Sequence, residues 1–276
     1  ENQGVCNQVN LPAGQALTRG AGVQVAVLEP GVETGHPDLS DKLRTGYNVL
    51  APGTTPQDAA DGQVNSVVGH GTMVSGVIAR IAPEAKILPV RVLNADGVGT
   101  TLGVLQGMQW AIEHGAKVIN LSLGSEDSSP FLKQAIDAAR QGGVVVVAAA
   151  GNTGASKVDF PAKENSVVCT TAVTPENLRA SFANYGPHVD LVAPGTGIRS
   201  TFGAKGYASW SGTSFAAPFV AGAAALVCSV NPGMRPDRVI DLLEDTARSV
   251  DSQNPDNAGK LGKGLLDIGE AVKQRN

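Results

Sequence analysis

The chain has 276 residues, with 21 Lys and Arg against 25 Asp and Glu, a formal net charge of −4 at pH 7. Only 17% of residues are charged and 42% are apolar, enough to fill a substantial core, which excludes a disordered chain. The mildly acidic balance without a long basic run argues against a nucleic-acid binder, and no uninterrupted apolar run approaches the ~20 residues of a membrane span.

The sequence opens at Glu1 with neither a basic start nor an apolar h-region. It therefore reads as a processed or trimmed product, with any signal or pro-segment lying outside it. The first β-branched run, 23–28, ends in Glu29-Pro30-Gly31, and Gly69-His70-Gly71 opens a helical pattern over 72–81. A strand at 87–93 and a helix at 102–114 follow, then a strand at 118–121 that runs into Ser122-Leu123-Gly124. The pattern continues with a helix at 130–141, a strand at 144–149 leading to Gly151-Asn152, and strands at 167–173 and 189–192. Helices at 214–227, entered through Gly212-Thr213-Ser214, and at 236–246 close the series. Continuously apolar strands alternating with helices predict a mostly parallel sheet covered on both faces. No repeat or linker divides the chain, so residues 1–276 read as one domain, a single-domain three-layer α/β/α sandwich.

Three cysteines, Cys6, Cys169 and Cys228, form an odd set without metal spacing. Cys169 and Cys228 fall in apolar elements and are expected to be buried thiols, with a single disulfide left open.

In such sheets, ligands bind outside the carboxyl ends of the strands. Glu29, Ser122–Gly124, Gly151-Asn152 and the helix starts at His70 and Ser214 can therefore converge on one rim. A serine hydroxyl near neutral pH needs an adjacent base, and that base needs an anion to fix its tautomer and stabilise its protonated form. Ser214 has small neighbours and helix-start N–H groups that can stabilise negative charge on a substrate oxygen. Of the four histidines, His70 alone sits at a glycine-rich helix start. His36, His114 and His188 read as surface or capping residues.

The segment Ser211-Gly212-Thr213-Ser214-Phe215-Ala216-Ala217-Pro218 resembles the nucleophile motif of the subtilisin-like serine peptidases, or subtilases. Gly69-His70-Gly71-Thr72-Met73-Val74-Ser75-Gly76 is similar to their histidine motif. Val25–Val32 with His36-Pro37-Asp38-Leu39 resembles their acid motif, and Ala148–Asn152 the segment bearing their oxyanion asparagine. The order acid, His, Ser is also that of the family. The resemblance implies a subtilisin-like fold and peptide-bond hydrolysis through an acyl-enzyme. Ser214 would be the nucleophile, His70 the base and Asn152 an oxyanion donor. It further implies a polypeptide substrate, a pro-segment removed on maturation, and a secreted or periplasmic site of action. No cofactor is expected, and the chain is expected to be a monomer.

The departure is at the acid: the family has Asp followed by Thr or Ser and Gly, whereas this chain has Glu29-Pro30-Gly31. Glutamate can play the same electrostatic part, but it is longer by roughly 1.5 Å, one C–C bond, and Pro30 removes an N–H that could bond a carboxylate. Three readings stay open. Glu29 is a working triad member, or the acid of a slow or damaged protease, or a relic in a non-catalytic peptide-binding relative. The retained His, Ser and Asn favour the first. Asp38 and Asp61 are weighed as substitutes and set aside.

Subtilases hold substrate as an added β-strand. Gly97-Val98-Gly99 and Ser122-Leu123-Gly124 match the two flanking edges, giving Gly97, Gly99, Ser122, Leu123 and Gly124 as substrate-binding residues. Asp159, just before Phe160-Pro161, aligns with the floor of the pocket for the residue preceding the scissile bond, where a carboxylate favours Lys or Arg. The competing reading has Asp159 facing solvent or capping a loop. Val77–Pro83 lacks the calcium-loop insertion common in the family, and Asp41 alone is no oxygen-rich shell, so no metal is predicted. A nucleotide-binding reading of Gly97–Gly103 fails on glycine spacing and on the missing acidic residue. The sequon Asn120-Leu121-Ser122 lies in a strand expected to be buried.

Overall fold

The computed structural model describes residues 3–59 and 67–274, so Asp61 lies outside the described residues. Two short helices, α1 (Gln3–Gln8) and α2 (Leu11–Gln15), lead into the apolar strand β1 (Gln24–Glu29). After β2 (Tyr47–Asn48), helices and strands alternate: α3 (His70–Ile81), β3 (Lys86–Arg91), α4 (Thr101–Glu113), β4 (Val118–Leu121), α5 (Pro130–Gln141) and β5 (Val145–Ala149). β6 (Val168–Val173) and β7 (Leu191–Pro194) complete the sheet. A hairpin of β8 (Ile198–Phe202) and β9 (Gly206–Trp210) then precedes α6 (Thr213–Val230), α7 (Pro236–Asp245) and α8 (Ile268–Lys273).

Seven strands form one all-parallel sheet in the order β2-β3-β1-β4-β5-β6-β7. β1, β4, β5, β6 and β7 are almost wholly buried along their length, as strands covered on both faces must be. Helices α3 and α6 pack together against one face, and α4 and α5 against the other. The predicted three-layer α/β/α sandwich is thus the fold. β1 lies centrally, with later strands added first on one side and then on the other. The crevice between the ends of β1 and β4 is where such a sheet opens to a ligand. Glu29 ends β1, and Ser122 follows β4.

Helix α6 is long and apolar enough for a membrane span, with mean hydropathy 1.7 over 18 residues, yet 78% of it is buried inside the protein. It is the central core helix, and it runs three residues beyond the predicted end at 227. Cys228 is consequently only half-buried, whereas Cys6 and Cys169 are buried; all three are free thiols. The antiparallel β8–β9 hairpin packs on α3, where Ser200 Oγ donates to Met73 O (2.6 Å) and Thr201 Oγ1 to Thr72 O (2.8 Å).

Candidate active site

Glu29 is the last residue of β1, and its side chain is 1% exposed. Its Oε2 lies 2.7 Å from His70 Nδ1. A carboxylate only accepts, so Nδ1 carries the proton and Nε2 is left with its lone pair facing the cleft. Gly71 lets the start of α3 close onto the end of β1. A Cβ there would sit 2.2 Å from Gly31 O and 2.7 Å from Glu29 Cβ, so only glycine lets the start of α3 close onto this acid. Glu29 Oε1 is buried without a partner among the described residues, as expected where Pro30 supplies no N–H.

Burial pushes the Glu29 carboxyl above its ordinary pKa, while the facing imidazolium and its hydrogen bond pull it down. For His70, burial pulls down, but the charge and hydrogen bond of Glu29 outweigh it and hold the imidazole above its usual value. The His70 ring packs against Phe215 (centroids 5.3 Å apart) and Trp210 (6.2 Å).

Ser214 is the second residue of α6. In a regular helix its carbonyl would accept from the N–H of residue 218, but position 218 is proline, inside the helix. The freed carbonyl accepts instead from Ser122 Oγ at 2.8 Å, and Ser122 Oγ accepts from the buried Asn120 Nδ2 at 2.9 Å. The Ser214 hydroxyl in turn donates to Ser122 O at 3.3 Å. From there a rotation about χ1 between staggered wells can redirect it; nucleophile–base contacts are often loose before substrate binds.

Asn152 is exposed to the cleft, and its Oδ1 accepts from Thr213 N (2.8 Å) and Thr213 Oγ1 (3.0 Å). With the oxygen so held, the amide NH₂ is turned outward as a donor. Thr213 was not singled out by sequence. Its signal was position, one residue before the nucleophile at a helix start.

A cleft of about 750 Å³ is lined by Glu29, His70, Gly97, Gly99, Ser122, Leu123, Gly124, Asn152, Asp159 and Ser214 together, so the fold brings every predicted site residue to one place. Asp159 is half-buried in its wall rather than fully in solvent. Gly151, at φ +107°, has no side chain where a Cβ would stand 2.3 Å from Asp159 Oδ2. Burial and the nearby charge of Glu126 push the Asp159 carboxyl up, against Lys157 and Lys163. The 150–155 turn is fixed by the fully buried Asn184, whose Oδ1 accepts from Thr153 N (3.0 Å), Thr153 Oγ1 (2.9 Å) and Ala155 N (3.1 Å). Sequence reasoning missed Asn184, which is distant in the chain and carries no motif.

The other candidates lie elsewhere. His36 is not a surface residue: it is fully buried, with Nε2 3.0 Å from Gly206 O and Nδ1 accepting from Asp38 N at 3.2 Å, so it locks the β8–β9 turn. His114 is exposed at the C-cap of α4, stacked on Trp110, and His188 is exposed. Asp38 accepts from Tyr207 Oη at 2.5 Å and Asp41 pairs with Lys42 at 2.9 Å. Among the described residues, no group of three or more His, Cys, Asp or Glu is arranged to hold a metal.

A buried acid–imidazole pair beside a helix-start serine on a parallel α/β sheet is the constellation of a serine hydrolase. The model of the Subtilase family matches residues 20–264, and the chain belongs to that family. It is a subtilisin-like serine endopeptidase. It is 42% identical to subtilisin BL of Lederbergia lenta over 278 residues, covering 97% of both chains. It is 41% identical to alkaline protease of Shouchella clausii, covering 97% of this chain and 69% of that one. Among solved structures, a protease from Pseudoalteromonas arctica PAMC 21717 superposes with a TM-score of 0.87 at 32% identity, covering 96% of this chain and 93% of the other.

Proposed function

We propose that Glu29, His70 and Ser214 form a working triad, with Asn152 and the Ser214 backbone N–H as the oxyanion hole. The observation that carries this is the 2.7 Å contact between Glu29 Oε2 and His70 Nδ1, which supports glutamate in the part of the usual aspartate. Ser214 Oγ attacks the scissile carbonyl as His70 Nε2 takes its proton. The C–O bond forms, and the carbonyl electron pair moves onto the oxygen facing Asn152 Nδ2. Collapse breaks the C–N bond, and imidazolium delivers the proton to the departing amine. Water, deprotonated by the same nitrogen, then releases the acid and restores the serine.

The polypeptide substrate lies between the Gly97–Gly99 and Ser122–Gly124 edges as an added strand. Asp159 faces the side chain preceding the scissile bond and favours Arg or Lys there. Residues 1–276 act as one peptidase domain, a monomer, secreted or periplasmic. The uncovered length of the Shouchella clausii relative supports a removable pro-segment in such chains. A fluorophosphonate probe tests the triad: the protein should label rapidly, Ser214→Ala not at all, and Glu29→Gln slowly. A folded protein that cuts no casein and ignores the probe is instead a peptide-binding relative.

A further inference from the structure

A second carboxylate, Asp58, half-buried, lies against the start of the helix that carries His70. Its segment is pinned on one side to the turn that follows β1. Asp58 N donates to Val32 O (3.1 Å), Val32 N to Pro56 O (2.9 Å), and Gln57 Nε2 to Glu33 Oε2 (2.8 Å). Arg91, at the end of β3, adds a bond from Nη1 to Gln57 O at 2.9 Å. On the other side stands Thr72, fully buried on α3 two residues after His70. Its hydroxyl donates to Asp58 Oδ2 at 2.6 Å and accepts from Glu33 N at 2.9 Å. The N-cap of α3 is Gly69, which has no side chain to cap the first turn. What holds this helix start therefore comes from another part of the chain.

We propose that Asp58 is a positioning residue of the hydrolytic site. Through Thr72 it ties the helix start bearing His70 to the turn following Glu29, and its charge stands beside the helix start on which the imidazolium forms during catalysis. This rests on the triad reading above. Among the described residues, the charged groups acting on the Glu29–His70 pair are few. Glu29 and Asp58 act on His70, while Glu33 and Arg91 act on Asp58. Burial pushes the Asp58 carboxyl up, and the Thr72 hydroxyl, the Gly69 amide and Arg91 pull it down. As an anion, Asp58 favours protonated His70 and disfavours ionised Glu29. The longer acid thus works against a like-charged neighbour, and Thr72 keeps the two carboxylates apart in roles: one bonded to the imidazole, the other to the helix that carries it.

The two parts of the proposal separate by mutation. Asp58→Asn keeps an acceptor for Thr72 but removes the charge, so the acid limb of kcat/KM moves to lower pH. Asp58→Ala and Thr72→Val release the helix start. Both should lower kcat by roughly 10-fold or more with KM little changed, since misplacement near 1 Å costs about 10²-fold. Thr72→Ser keeps the hydroxyl and should restore kcat. An acid limb that stays put in Asp58→Asn overturns the electrostatic part. A kcat within about twofold of the parent in both Asp58→Ala and Thr72→Val overturns the tether. Should Asp58→Ala not fold, by circular dichroism, the two Thr72 variants and Asp58→Asn decide. Glu29→Gln and Ser214→Ala run alongside. If they retain full activity, the triad reading fails; if they are inactive while the Asp58 and Thr72 variants match the parent, only the role of Asp58 falls.

Discussion

At the scale of single residues, the site turns on whether a glutamate can do what the family does with an aspartate. The proposal that it can rests on reach: Oε2 meets Nδ1 at 2.7 Å, where Gly71 lets the start of α3 close onto the end of β1. Shortening the acid should then hurt. Glu29→Asp withdraws the carboxylate by roughly 1.5 Å, and kcat is expected to fall by about 10²-fold with KM nearly constant; turnover at or above the parent rate would show that the extra methylene hinders catalysis. Glu29→Gln loses the anion, and a fall approaching 10⁴-fold is the precedent from other serine proteases. The second residue-scale prediction concerns Asp159. Replacement by asparagine should lower kcat/KM for Arg and Lys peptides by roughly 10- to 100-fold, the value of a charge-assisted hydrogen bond, and leave Leu peptides unchanged. Because burial raises the Asp159 pKa, the proposed preference for basic residues should weaken as pH falls and the carboxyl becomes neutral. Equal rates on Arg, Phe and Leu peptides in the parent would rule out this role.

At the scale of elements, what could be read from sequence was whatever repeats within one element or sits at its end. Apolar runs such as 118–121 and 144–149 fall on β4 and β5 almost residue for residue, and polar residues at strand ends and helix starts gave the rim. The remainder depended on contacts between elements. β2 has two residues, and α1 and α2 have six and five, too short for any periodicity to show. The β8–β9 hairpin is held by His36, which bonds Gly206 O 170 positions on, and by Asp38, which accepts from Tyr207 Oη, contacts that no local pattern encodes. His36 was misread for that reason. Asn184 and the Pro218–Ser122 exchange were invisible because each is defined by a partner far along the chain, and the position of Thr213 marked it without revealing its bond to Asn152. That exchange is itself testable. Ser122→Ala leaves the Ser214 carbonyl without a donor, a loss of about 1–3 kcal/mol for a buried group, and should lower both Tm and kcat. Adding Pro218→Ala restores an N–H at the helical position. The double variant should therefore recover stability relative to Ser122→Ala, and a thermal-denaturation cycle should show coupling of about 1 kcal/mol. Strict additivity would mean that the two residues do not share this carbonyl.

At the scale of the whole molecule, the two ends of the sheet set opposing demands on pH. At the carboxyl end, the proposed base His70 must be neutral to act, and its pKa is held above the usual value because the charge and hydrogen bond of Glu29 outweigh burial. Activity should therefore rise with pH through a limb above the ~6.5 of an ordinary histidine. At the far end, just before β7, Asp190 accepts from Cys169 N at 2.7 Å. Burial, with Glu244 nearby and only partly offset by the Cys169 N–H, Arg140 and Lys263, raises its carboxyl from 3.8 to about 7. An acid whose pKa is raised by folding is bound more tightly as the neutral form in the native state. Its effect on stability is absent below about pH 4, grows unfavourable as pH rises to 7, and is constant above that. A displacement from 3.8 to about 7 corresponds to roughly 4 kcal/mol at most. His70 acts in the same sense, because a histidine raised by folding stabilises the native state below its unfolded pKa and ceases to do so as pH rises through the folded one. The enzyme is thus expected to lose stability over the interval in which it gains activity. Asp190→Asn retains an oxygen for Cys169 N and abolishes the titration. Its Tm should match that of the parent near pH 4, exceed it at pH 8, and leave the pH–rate profile unmoved, because the group lies at the opposite end of β6 and β7 from the cleft. Parallel Tm curves for the two proteins between pH 4 and 8 would show that Asp190 is ionised throughout and that the descending stability has another source.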